Sequence, residues 1–90
     1  MQIKWEEDAI SDLINLRNYI EKDNPTSAKK IATKILQSIN TLIEHPLLGK
    51  AGRVHKTREL VITTSRYTVI YKAEAESISI LRILHQSQRW

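Results

Sequence analysis

The side chains best suited to chemistry lie in the second half of this chain and at its end. Arg53, His55, Lys56 and Arg58 crowd the stretch "GRVHKTR", Arg66 follows, and the closing "ILRILHQSQRW" carries Arg82, His85, Arg89 and Trp90. Guanidinium and ammonium groups clamp phosphates, an imidazole such as His85 can give or take a proton near neutral pH, and a terminal indole offers a face on which a base can stack. Arg53, Lys56, Arg58, Arg66, Arg89 and Trp90 are therefore the candidate contacts to an anionic target, and His85 is the candidate general acid or base. Metal chemistry is not indicated. There is no cysteine, and His45, His55 and His85 share no ligand spacing, so neither a metal nor a cofactor is expected.

Each candidate also has a structural reading. A histidine at the end of a strand commonly caps it by hydrogen bonding. Arg82 interrupts an apolar run, and burying it unpaired would cost several kcal/mol, so it needs a partner. Glu59, on a neighbouring strand, or a carbonyl at the sheet's open face is the expected one. Trp5 reads as core, and Lys29, Lys30 and Lys34 read as the solvent face of a helix.

Charge is unevenly placed within the net +4. Residues 1–25 hold Lys4, Arg17 and Lys22 against Glu6, Glu7, Asp8, Asp12, Glu21 and Asp23, a balance of −3. Residues 50–66 hold Lys50, Arg53, Lys56, Arg58 and Arg66 against Glu59 alone, a balance of +4. The basic half suits an anionic partner, either nucleic acid or an acidic protein segment. No apolar run approaches the roughly 20 residues that span a bilayer. "MQIKWEED" turns acidic where a signal core would begin. A soluble cytoplasmic protein with no membrane partner is the expectation, with residues 1–90 forming one domain.

The elements that must position these residues follow from periodicity. "QIKW" alternates as a short strand. Ala9, Leu13, Leu16 and Ile20 form one helical stripe over residues 6–22, with Glu6, Glu7 and Asp8 suited to its N-terminal dipole. Asn24 and Pro25 are an N-cap and a first helical residue for a second helix. Its stripe is Ala28, Ile31, Ala32, Ile35, Ile39, Leu42 and Ile43, and it should stop before Pro46. So short a link predicts an antiparallel helical hairpin. "TRELVI" (57–62), "YTVIYK" (67–72) and "SISILRIL" (77–84) then alternate with a period of two and predict an antiparallel meander. In the last of these, strict alternation puts Ile78, Ile80, Arg82 and Leu84 on one face and Ser79, Leu81, Ile83 and His85 on the other. The fold class is α+β in the order β-α-α-β-β-β, a helical hairpin on one face of a small, mainly antiparallel twisted sheet.

That order carries a set of motifs: an early "W…A…DL…L…YI…DNP…A", a helix ending "L…HP…G", then "GRV…TREL", "Y.VIY" and "ILRILH". From Trp5 to Arg89 the pattern resembles the RelE/ParE superfamily of bacterial toxins from type II toxin–antitoxin, or plasmid-stabilisation, systems. The resemblance implies a toxin that arrests growth when free. It also implies a cognate antitoxin whose C-terminal segment wraps the hairpin and the sheet. Two activities share this scaffold: RelE-like members cleave messenger RNA on the ribosome, and ParE-like members poison DNA gyrase without nuclease chemistry. RelE-like nucleases carry lysines on the strand matching "TRELVI" and an arginine just before the "VIY" segment. Here those positions read Glu59, Val61 and Thr68. A 2′-hydroxyl attack needs a base, an acid and cations around the phosphorane, and these departures remove the central cations. They favour the ParE-like, non-enzymatic branch. Against this, some nuclease branches use a histidine at the position of His85 and an aromatic shortly after it, so a metal-independent endoribonuclease is the alternative. A basic nucleic-acid-binding module without toxicity is a remote third reading, since basic residues and aromatics do not interleave on the sheet.

Overall fold

A computed structural model describes residues 1–88 of the chain. The elements run β1 (Gln2–Trp5), α1 (Glu7–Glu21), α2 (Pro25–Thr41), β2 (Lys50–Ala51), β3 (Arg58–Val61), β4 (Tyr67–Ala73) and β5 (Ser77–His85). They form a five-stranded sheet in the order β1-β5-β4-β3-β2 with the helices against one face. Pairing is antiparallel except for β1, which lies parallel to β5 with Trp5 opposite Ile80. β2, within the stretch read as a connection, is a strand of two residues that pairs Lys50 with Glu59 and Ala51 with Arg58.

The helices follow their sequence signals. Asn24 adopts extended backbone, and its Oδ1 accepts the Ser27 N–H at 3.1 Å with Pro25 next in line. Ala9 and Leu16 of α1 and Ala28, Ala32, Ile35 and Ile39 of α2 are buried. Ala9, Leu16, Ile35 and Ile39, with Leu42, meet Ile62, Val69, Tyr71, Ile78, Ile80 and Ile83 in one apolar cluster, against which Trp5 packs half-buried. Ile43 departs from the expected stripe. Helix α2 has ended at Thr41, and Ile43 stands 37% exposed.

The last strand departs from simple alternation. Tyr71 faces Ile80 and Ile70 faces Arg82, so Leu81 is an extra residue in a β-bulge. The bulge reverses the facing of everything beyond it. Ile83 thereby joins Ile78 and Ile80 in the core, where strict alternation had set it opposite them. Arg82 and Leu84 pair with Ile70 and Thr68 on the other side of the sheet.

Tyr71 anchors the connection between α2 and β2. Its ring is fully buried, and its hydroxyl donates to the Pro46 carbonyl at 2.8 Å and accepts the Gly49 N–H at 2.9 Å. Gly49 packs so closely that a Cβ would stand 2.8 Å from the Glu59 carbonyl oxygen and 2.8 Å from the Tyr71 ring. Tyr71→Phe leaves the buried Gly49 N–H without an acceptor, so it should cost about 2 kcal/mol. Urea unfolding checks this as a lower midpoint at an unchanged slope.

Candidate functional site

On the side of the sheet away from the helices, the twisted strands enclose an open concavity of 580 Å³. Thr68, Ile70 and Leu84 form its floor, Glu59 stands on β3, Lys50 and Arg53 come from β2 and the loop after it, and His85, Gln86 and Gln88 close the far side. Three of the residues singled out in the sequence therefore border it: Arg53, Glu59 and, where β5 ends, His85, whose ring lies on the face of Ile83 beside Tyr67.

The other cations are elsewhere. The loop between β2 and β3 is closed by Gly52 N to Thr57 O at 2.8 Å and Thr57 N to Val54 O at 3.1 Å, and it displays Arg53, Val54, His55 and Lys56 to solvent. Lys56 sits at its tip in a left-handed conformation (φ 65°). Arg58 is half-buried, and its Nη1 donates to the Gly49 carbonyl at 2.7 Å, so it braces the connection. Arg66 is exposed at the turn into β4, outside the concavity. Arg89 and Trp90 lie outside the described residues.

Arg82 does not pair with Glu59. Its Nε and Nη2 donate to the two carboxylate oxygens of Asp12 on α1, at 2.8 and 2.9 Å. Asp12 Oδ2 also accepts the Ile83 N–H at 2.9 Å. The sheet explains the arrangement. β1 covers β5 only as far as Ile80, whose carbonyl takes the Glu6 N–H, and past that point the outer edge of β5 is bare. Asp12 supplies the missing acceptor and a counter-charge at once. The paired carboxylate holds the Arg82 guanidinium above its ordinary pKa, with Asp8 adding to the effect. Glu59 instead accepts the Arg53 backbone N–H at 3.1 Å and stands opposite Lys50 in the β2–β3 register.

The β2–β3 side of the concavity thus carries a carboxylate alongside Lys50 and Arg53. His85 Nδ1 accepts the Ser87 N–H at 3.1 Å, with Ser87 Oγ 2.7 Å from the same nitrogen. In the tautomer in which Nδ1 accepts, the neutral ring carries its proton on Nε2, which can then donate. The His85 ring stands edge-on to Tyr67 at 5.5 Å between centroids. Burial, with Tyr19 nearby, raises the Tyr67 phenol above its ordinary pKa.

A second surface lies on the hairpin. Asp12 on α1 and Lys34 on α2 mark the flanks turned toward the sheet, through Ile83 N and the Thr64 hydroxyl at 2.7 Å. Ile10 and Ile14 on α1, with Leu36 on α2 and Ile43 just beyond it, lie on the opposite flanks. They are 44, 53, 46 and 37% exposed. These exposed aliphatic side chains are the hairpin's candidates for a docking face. Of these the sequence offered Ile43, at the end of the second helix's stripe, where a stripe longer than the helix leaves a residue over. Lys50 and Asp12 went unremarked as site residues because only tertiary contact gives them a role.

Comparison with known proteins adds the following. Residues 3–90 match the family model described as the ParE toxin of type II toxin–antitoxin system, parDE. The toxin Y4kP of Sinorhizobium fredii is 34% identical over 99% of this chain and 92% of its own length. Toxin RelE2 of Caulobacter vibrioides is 29% identical over 97% of each chain. Among solved structures, a chain of the chromosomal ParDE system from P. aeruginosa superposes with a TM-score of 0.85 at 23% identity, covering 94% of this chain and 95% of its own. The intact E. coli RelBE toxin–antitoxin complex gives 0.60 at 14% identity, covering 98% of each chain. The α+β fold is therefore the RelE/ParE one.

Proposed function

Because the chain belongs to the ParE toxin family of type II toxin–antitoxin systems, we propose that it arrests growth by poisoning DNA gyrase and is held inactive by a cognate antitoxin. The observation that carries the gyrase reading is the concavity itself. Its lining sets Glu59 beside Lys50 and Arg53, where cleavage of RNA would need unopposed cations around a pentavalent phosphorus. His85 adds to this, since its Nδ1 is engaged by Ser87 within its own turn. The closer superposition on the ParDE chain agrees. The antitoxin's C-terminal segment would lay aliphatic side chains on Ile10, Ile14, Leu36 and Ile43 and acidic ones along Lys50, Arg53 and Lys56, ordering as it binds.

One observation favours the endoribonuclease alternative. Arg53 and His85 both line the concavity, where a protonated His85 could supply a proton to a leaving oxygen once its ring, which lies on the face of Ile83 beside Tyr67, turned to that side. Cells expressing the chain without its antitoxin discriminate the two. Gyrase poisoning predicts protein-linked double-strand breaks that disappear in a gyrase-resistant background, with messages intact. Codon-phased cleavage of ribosome-bound messages, with intact DNA, would establish the nuclease instead.

A further inference from the structure

His85 ends β5, opposite Tyr67, the last ladder partner that β4 provides. Beyond it nothing in the sheet dictates the path of the backbone. Hydrogen bonds do so instead. The Gln86 N–H donates to the Arg66 carbonyl at 2.6 Å. The His85 N–H donates to Gln88 Oε1 at 2.8 Å, and the Gln88 N–H returns to the His85 carbonyl at 2.8 Å. Inside this loop the Ser87 N–H reaches His85 Nδ1. A side-chain acceptor on one residue taking the N–H two residues on is the geometry of an Asx turn, which asparagine and aspartate make with Oδ1. The imidazole of His85 occupies that place. The turn brings Gln86 and Gln88 to the wall of the concavity.

We infer that His85 is a positioning residue. It acts through Nδ1 as the acceptor that closes the turn at 85–88, and so fixes the direction in which the chain leaves the sheet over the concave face. Proton transfer at Nε2 is not its role. The inference deepens the toxin reading, because the rim it builds belongs to the same concavity. Its physical test does not depend on that reading.

The side chains available at position 85 separate the two nitrogens. Asparagine sets Oδ1 where Nδ1 stands, glutamine reaches toward Nε2, and alanine offers neither. His85→Asn should retain growth arrest, whereas His85→Gln and His85→Ala should each weaken it about tenfold, the scale of one ordering hydrogen bond. All three should melt within a few degrees of the parent, because His85 lies at the sheet's end. In the purified protein, the Ser87 amide should be protected from hydrogen exchange in the parent and in His85→Asn but not in His85→Ala. The ring nitrogens should report a proton on Nε2. Activity of His85→Gln with loss of His85→Asn would make Nε2 the working atom and overturn the inference. Loss of arrest in all three folded variants would overturn it in favour of chemistry by the ring, and full arrest by His85→Ala would show the turn to be idle. A parent chain that arrests nothing would sink the toxin reading alone, and Ser87 exchange would still judge the turn.

Discussion

Asp12→Ala should lower the melting temperature by about 10–15 °C, the shift that about 2–3 kcal/mol produces in a domain of this size. The figure comes from what the substitution strands. Arg82 loses both of its charge-assisted hydrogen bonds, and the Ile83 N–H at the bare edge of β5 loses its acceptor. Removing one partner of a fully buried pair costs about 3–5 kcal/mol, but the Arg82 side chain is 28% exposed and Asp12 15%, so water recovers part of that. Asp12→Asn should cost clearly less, because an amide oxygen can still take the Ile83 N–H. Thermal unfolding by circular dichroism reads both variants. A drop of only a few degrees for Asp12→Ala would show the contact to be an ordinary surface pair, and β5 to be fixed by its ladder to β4 alone.

Leu36→Glu should weaken binding of the antitoxin by about a hundredfold, with the fold intact. Leu36 is 46% exposed beside the buried stripe of α2, so a carboxylate there stays hydrated in the free toxin. In the complex the same carboxylate would be desolvated against aliphatic side chains of the partner, and loss of a central anchor costs about 2 kcal/mol or more. Cells carrying this variant should arrest even when the antitoxin is co-expressed. Titration calorimetry on the purified pair gives the affinity, and a melting temperature equal to the parent's shows that the fold is unaffected. Undiminished neutralisation would remove the hairpin's outer face from the antitoxin interface and leave the basic loop at 53–56 as the remaining candidate.

The two expectations draw on different kinds of information. The hairpin face was half-legible in the sequence: Ile43 was read within the stripe of α2, though that it would be left exposed could not be seen. The Asp12–Arg82 contact was not legible. Asp12 reads as one of several acids in the first helix, and the nearest opposite charge by strand adjacency was Glu59, so the arginine's need for a partner was sound while the partner was wrong.

The sequence by itself determined what depends on near neighbours along the chain. Apolar spacing of three and four set the helices, Asn24 and Pro25 set the start of α2, and alternation set four strands, because helix and strand bury one face at fixed periods. The absence of lysine or arginine at Glu59, Val61 and Thr68 was also readable, since it needed only the strand's identity. Tertiary structure alone decided the rest. The bulge at Leu81 changes the facing of Arg82, Ile83 and Leu84, and it arises from fitting β5 to β4, which no local preference reveals. It also decided which cations meet. Arg53 reaches the concavity, Arg58 is spent on the Gly49 carbonyl, and Arg66 points elsewhere. Long charged side chains take their partners from whatever backbone the docking of helix, loop and strand brings within about 3 Å, and that proximity is a property of the folded chain.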